Sequence, residues 1–172
     1  MNIKNCSNSV LKKLKYGLKF LVKEYFMTRI EQAVEKFDRG YNCSQAVLST
    51  YCEQFGLDCE TALKIATGFG GGMHINGTCG AVTGAIMVLG LKFGNTDENK
   101  QAKEKTYGKV ILYANQFIAR NGSVKCHELL GCDITTLEGV QFAREKGLFS
   151  SICPGLVRDA AEILEQMLAE EA

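Results

Sequence analysis

Eight cysteines are the residues of this sequence with the most chemistry in them: Cys6, Cys43, Cys52, Cys59, Cys79, Cys126, Cys132 and Cys153. No two are spaced as Cys-x-x-Cys, which excludes a zinc knuckle, a thioredoxin-type motif and a ferredoxin run. Their positions say more than their spacing. Cys43 follows Tyr41-Asn42 at the head of an apolar run, Cys79 follows a glycine loop, Cys126 falls in the first turn after Ser123, and Cys153 directly precedes Pro154. Each is predicted to open a helix, where unpaired N–H groups and the positive end of the helix dipole favour a thiolate over a thiol. Thiolates bind metals, and four of them in a dry interior need a cation or oxidation to offset their charge. Convergence of these four would therefore imply iron, zinc or disulfides. Cys6, Cys52, Cys59 and Cys132 are expected to be core or incidental, although Cys132 lies only six residues from Cys126.

The most unusual stretch is GFGGGMHINGTCGAVTGAIMVLGL, residues 68–91. Its glycines let the backbone approach something closely before a helix begins at Cys79. A phosphate is one candidate, but no GK[ST] follows and no strand precedes the loop; the same N–H groups would suit a negatively charged sulfur cluster. Gly71, Gly72, Gly77 and Gly80 are the candidate cofactor-binding glycines. The helix that follows carries Gly80, Ala81, Gly84 and Ala85 on one face and apolar residues elsewhere, which predicts a central buried helix closely approached by another backbone. His74 and His127 are the only histidines, and each stands near a cysteine of interest, where it could act as ligand or proton donor. No Ser/His/Asp order or paired carboxylates supports hydrolase chemistry.

Apolar residues recur with helical spacing almost throughout: Ile30, Ala33, Val34 and Phe37; Tyr107, Val110, Ile111, Ala114, Phe117 and Ile118; Leu156, Val157, Ala160, Ala161, Leu164, Met167 and Leu168. Asp58 and Thr96 are candidate N-caps, Thr135 and Glu138 fit a capping box, Pro154 suits a first helical turn, and Gly40, Gly94 and Gly122 follow helix ends. Helices are expected over 9–26, 28–39, 43–55, 59–67, 79–92, 97–121, 125–130, 136–146 and 154–169. Nothing alternates with a period of two. The expected fold is all-α, an irregular single-domain helical bundle.

Composition places limits on function. At 46% hydrophobic and 23% charged the chain has the balance of an ordinary globule. Its net charge of +1 conceals six lysines against Glu24 in residues 1–26, a local +5, so the remainder is mildly acidic. No basic stripe suggests a nucleic-acid surface. The first 26 residues show no secretory leader, so a reducing, cytoplasmic setting is expected, and cysteines there are more often metal-binding or redox-active than structural. Residues 1–27 read as a basic amphipathic extension and 28–172 as the cysteine-bearing domain. Residues 9–26 could contact an anionic membrane or dock on the globule or a second copy of the chain.

The cysteine pattern resembles the C_GCAxxG_C_C family, redox-active proteins with four characteristic cysteines. The matching residues are Cys43 in GYNCSQAV, Cys79 in GTCGAVTGAIM, Cys126 in CHELLGCDI and Cys153 in ICPGLV, over about residues 29–170. One departure is the order Thr78-Cys79-Gly80-Ala81-Val82-Thr83-Gly84, where the family label puts glycine first. The family in turn is similar to the iron-sulfur portion of split-Soret cytochromes, which implies a 2Fe-2S cluster held by these four cysteines as metal ligands. No CxxCH is present, so no c-type haem is expected. The expectation is a cluster protein that transfers electrons to an unidentified redox protein or senses redox state. The alternatives are a thiol-disulfide oxidoreductase on the same cysteines, or a non-catalytic helical module with structural zinc or no metal.

Overall fold

The structure, a computed structural model, describes residues 27–170. Side-chain caps fix where most helices begin. Helix α1 (Arg29–Asp38) starts in a capping box, with the Glu31 N–H donating to Thr28 Oγ1 and the Thr28 N–H to the Glu31 carboxylate. Helix α2 (Cys43–Tyr51) starts in another: the Gln45 N–H donates to Asn42 Oδ1 at 2.9 Å and the Asn42 N–H to Gln45 Oε1 at 3.1 Å. Asp58 caps α3 (Cys59–Thr67) by accepting the Thr61 N–H. Helix α4 spans Gly80–Phe93, α5 Lys100–Asn121, α6 Cys126–Leu130, α7 Leu137–Glu145, α8 Leu148–Ser151 and α9 Cys153–Ala169. Among the described residues the only extended pairing is one isolated antiparallel bridge, Thr78 with Lys125. The fold is all-α, a single domain, as expected.

Several boundaries differ from expectation for identifiable reasons. The helix expected over 43–55 ends at Tyr51, and a short 3-10 turn (Glu53–Phe55) carries the chain into Gly56, whose φ of +79° stops it. Helix α5 is capped by Asn99, not Thr96; Asn99 Oδ1 accepts the Gln101 and Ala102 N–H groups. Thr136, not Thr135, caps α7, because the Thr135 N–H and hydroxyl are both taken by the Asp133 carboxylate. The Tyr107/Ile111/Ile118 side of α5 faces solvent, at 55, 61 and 40% exposure, whereas Tyr113 and Phe117 are fully buried. That helix has apolar residues on more than one face, and its neighbours select the second. Residues 9–26, expected to be helical, lie outside the described segment.

Helix α4 is the centre of the bundle, packed on α2, α5 and α9. Its small face meets α2: a Cβ added at Gly84 would stand 2.8 Å from the Ser44 carbonyl oxygen, and one at Gly80 would stand 3.1 Å from Cys43 Cβ. Val82, Ala85, Val88 and Leu89 bury the remaining sides. Helix α9 closes the bundle with Leu156, Val157, Ala160, Ala161, Ile163, Leu164 and Met167 buried; each large aliphatic side chain so buried contributes roughly 1.5–3 kcal/mol. Two buried tyrosines reach its backbone, Tyr113 Oη donating to the Ala160 carbonyl at 3.2 Å and Tyr51 Oη to Ala161 at 3.5 Å. No helix among the described residues is long and apolar enough to cross a membrane.

Candidate functional site

Cys43, Cys126 and Cys153 are the first residues of α2, α6 and α9, and Cys79 is the N-cap residue of α4. All four are buried, and all four line one cavity of about 490 Å³. Each is fixed by its own local device. Beyond capping α2, Asn42 donates from Nδ2 to the Thr67 carbonyl at 3.0 Å and Gln45 from Nε2 to Leu63 at 3.1 Å, which straps the Cys43 end of α2 to the far end of α3. The Thr78–Lys125 bridge clips the next two cysteines together: the Cys79 N–H donates to the Val124 carbonyl at 2.7 Å and the Cys126 N–H to Gly77 at 3.0 Å. Cys153 follows α8, whose Ser151 and Ile152 N–H groups bond to Gly147 and Leu148, and Pro154 presets the first turn of α9.

The glycine loop adopts a conformation that L-residues resist. Gly71, Gly72, Met73 and His74 have φ of 56, 62, 58 and 55°, a left-handed turn, and Asn76 repeats the value at 55°. At about 1–2 kcal/mol for each non-glycine residue, this is a site of stored strain. Gly72 is required twice over, since a Cβ there would also lie 2.8 Å from Cys126 Cβ. Its carbonyl accepts the Ile75 and Gly77 N–H groups, which locks the turn against the Cys79–Cys126 clip. Of the candidate glycines, Gly71 lines the cavity, Gly72 and Gly77 shape the turn behind it, and Gly80 lies in the α2–α4 contact. Gly70 also lines the cavity, its Cα face pressed on the Asn42 side chain.

Electrostatics in the cavity are dominated by burial and by the thiols' effect on one another. Hydrogen bonding to Cys153 pushes the Cys43 thiol well up, reinforced by burial and by Cys79, Cys153 and Cys126. Burial pushes Cys79 up to about 11, with Cys153 adding; the Ala81 and Val82 N–H groups pull the other way without closing a regular cap bond to the sulfur. Burial, then Cys79, Cys153 and Cys132, push Cys126 up to about 12. Only Cys153 moves down, because its interaction with the Cys43 thiol favours its thiolate. The expectation that helix starts would lower all four is thus overturned for three of them: a dipole worth a fraction of a unit is outweighed by desolvation and like-charge repulsion.

The remaining sequence candidates scatter. Cys52 is fully buried, its thiol directed at the Ser49 carbonyl, with Cys59 nearby, and neither reaches the cavity. Cys132 is half-buried and acts on Cys126 without lining the cavity. His74 lines the cavity at its exposed side, while His127 does not; its Nδ1 is buried without a partner and its Nε2 is 3.8 Å from Glu128. Cys6 lies outside the described residues. Arg144, Phe149 and Thr67 line the cavity and were not singled out by sequence; no spacing marks them, because they come from helix ends brought in only by tertiary packing. Four thiols and no carboxylate in the lining make a donor set suited to thiophilic metals. Among the described residues no three His, Cys, Asp or Glu side chains stand in a finished metal-binding arrangement: the four thiols share a cavity but are not yet a ligand cage.

A family model described as "Putative redox-active protein (C_GCAxxG_C_C)" matches residues 41–167. The chain belongs to the C_GCAxxG_C_C family. Comparisons with curated proteins and with solved structures found no match. The span that the C_GCAxxG_C_C match covers runs from just before Cys43 into the last turn of α9 and contains every element that lines the cavity except α1, which contributes Phe37, and Gly40 beside it.

Proposed function

We propose that Cys43, Cys79, Cys126 and Cys153 together ligate an iron-sulfur cluster, of the 2Fe-2S type, and that the protein passes electrons to an unidentified redox partner or senses redox state. The observation that carries this reading is that four buried thiols line one cavity, where burial and the neighbouring thiols make three of them, Cys43, Cys79 and Cys126, harder to ionise. Burial of four mutually repelling sulfurs is stable as thiolates only around a cation, and iron and sulfide are a soft match for them. When bound, such a cluster supplies one-electron chemistry. The chain's own residues would hold and tune it: the Asn42–Gln45 box fixes Cys43, the Thr78–Lys125 bridge fixes the Cys79–Cys126 pair, and the backbone N–H groups of the Gly71–Gly77 loop other than those of Met73, Ile75 and Gly77, which donate to Gly70 and Gly72, are candidates for hydrogen bonds to sulfur. The family description as redox-active agrees with this chemistry without choosing a cofactor.

Protein purified without oxygen is expected to be coloured, with iron and acid-labile sulfide in equal amounts. Zinc without iron would point instead to a structural metal module. A colourless protein with neither metal would leave thiol chemistry.

One observation favours that last reading as the second: Cys43 and Cys153 line the same cavity and their thiols act on one another, which holds Cys153 down and Cys43 up. In a metal-free protein the Cys153 thiolate would attack a disulfide substrate, form a mixed disulfide and release one substrate thiolate. Cys43 would then displace the second substrate thiol by attacking the Cys153 sulfur, leaving a Cys43–Cys153 disulfide and a reduced substrate.

A further inference from the structure

The cysteines are only part of the cavity's lining. Its walls are apolar, made by Phe37, Leu130, Ile134, Val140, Phe149 and Leu156, and at about 490 Å³ it offers room for roughly sixteen waters at about 30 Å³ each. A 2Fe-2S core has four atoms, so a cluster held by the cysteines leaves most of this space over. The volume and lining are those of a small-molecule site, which is typically 300–1,000 Å³ and mainly hydrophobic with a few placed polar groups.

Two polar side chains besides the cysteines carry a titratable or charged group into this lining, His74 and Arg144, and no Asp or Glu does. Arg144 sits in the last turn of α7, exposed, and makes no ion pair or side-chain hydrogen bond among the described residues. The contrast is with Arg120, held by Asp159 and Glu162, and Arg29, which faces Glu165. A guanidinium presents a planar fork matched to a carboxylate, and Arg144 is an exposed residue that lines a mainly apolar cavity. That juxtaposition selects a ligand with a charged end and an apolar body: the anion stays at the exposed Arg144, the hydrocarbon covers the walls, and the far end approaches the thiols.

We propose that this cavity binds a small organic carboxylate with an apolar body, its carboxylate held by Arg144. As the substrate class of the four-cysteine site this rests on the redox reading above; the binding itself needs only the cavity and the guanidinium.

The test is calorimetric titration of the anaerobically purified full chain with acetate, hexanoate, octanoate and octanamide, with iron and sulfide assayed in the same samples. Octanoate is expected to bind saturably, tighter than hexanoate by about fourfold for each added methylene, and at least about tenfold tighter than octanamide. Arg144→Gln, an exposed substitution that leaves the core intact, is expected to abolish the preference for carboxylate over amide while keeping the preference for chain length. Arg144→Lys is expected to restore part of it. No saturable binding of octanoate, equal binding of acetate and octanoate, or a carboxylate preference that survives Arg144→Gln would each overturn the proposal. The two readings fail separately: octanoate bound by a chain without iron keeps the ligand site and removes the cluster, and iron with sulfide in a chain indifferent to octanoate does the reverse.

Discussion

Replacing Gly84 with alanine should destabilise the protein although alanine is the better helix former. In the interior of a helix the exchange gains about 0.8–1 kcal/mol from propensity alone. At Gly84 the new methyl would meet the Ser44 carbonyl oxygen at 2.8 Å, Val47 Cβ at 3.0 Å and Ser44 Cα at 3.2 Å. These are backbone and Cβ atoms that cannot rotate away, so α2 must move off α4, and overpacking of this kind costs typically 1–3 kcal/mol. Gly90 in the same helix is the control, since a Cβ there meets nothing within 4 Å. Gly90→Ala should therefore gain the full propensity term, and the two variants should differ by about 1–3 kcal/mol. For a chain of this size that is about 2–4 °C in Tm per kcal/mol. Thermal and urea unfolding of the reduced, chelator-treated proteins would measure it. Equal stability of Gly84→Ala and Gly90→Ala would refute the claim that a glycine seam sets the α2–α4 distance, and with it the account of how Cys43 and Cys79 are brought together.

Asn42→Ala removes the α2 cap and the bond from Nδ2 to Thr67, and should cost about 1.5–3 kcal/mol in urea unfolding, with lower metal retention because Cys43 loses its anchor. Gly72→Ala forces a left-handed φ of 62° on an L-residue and a methyl 2.8 Å from Cys126 Cβ; a loss of about 1–3 kcal/mol is expected, read by the same unfolding assay. In the reduced, metal-free protein, alkylation followed across pH by peptide mass spectrometry should modify Cys153 first among the four cavity cysteines, at a pH below the ordinary thiol range. A thiol reacts as its thiolate and so only as pH approaches its pKa; Cys79 should therefore wait for pH near 11 and Cys126 for pH near 12. Cys43→Ala removes the hydrogen bond that lowers Cys153 and should slow its labelling at neutral pH.

What sequence made legible is what local chemistry decides. Asp58 marks a helix start because a short polar side chain there satisfies N–H groups that have no partner, and the helix start at Cys43 is likewise legible from the local sequence, its cap proving to be Asn42. The Gly80/Gly84 face announced a close helix contact because small residues at helical spacing have little other use on an apolar helix. What resisted reading depends on neighbours distant in the chain. Periodicity places Tyr107 and Ile111 on one buried stripe with Phe117; Phe117 is buried as expected, but the packing of α4 and α9 buries Tyr113 beside it and leaves Tyr107 and Ile111 exposed. The four-residue helix α8 is too short to carry a periodic signal, yet it delivers Cys153 and Phe149 to the cavity. The direction of the thiol shifts was misjudged because a helix dipole is a property of the local sequence whereas burial and mutual repulsion exist only once the four sulfurs meet. Arg144 gave no signal at all, since an arginine near a helix C-terminus is commonplace until the cavity beside it is seen.

The central claim is that four cysteines from four helix starts form one centre. Its most direct test is iron and acid-labile sulfide per chain in anaerobically purified wild type, in Cys43→Ser, Cys79→Ser, Cys126→Ser and Cys153→Ser, and in Cys52→Ser and Cys59→Ser as controls. The account predicts that each of the first four variants loses most of the iron and sulfide while both controls keep the wild-type content. Wild-type content in any of the four, or equal loss in the controls, would contradict it.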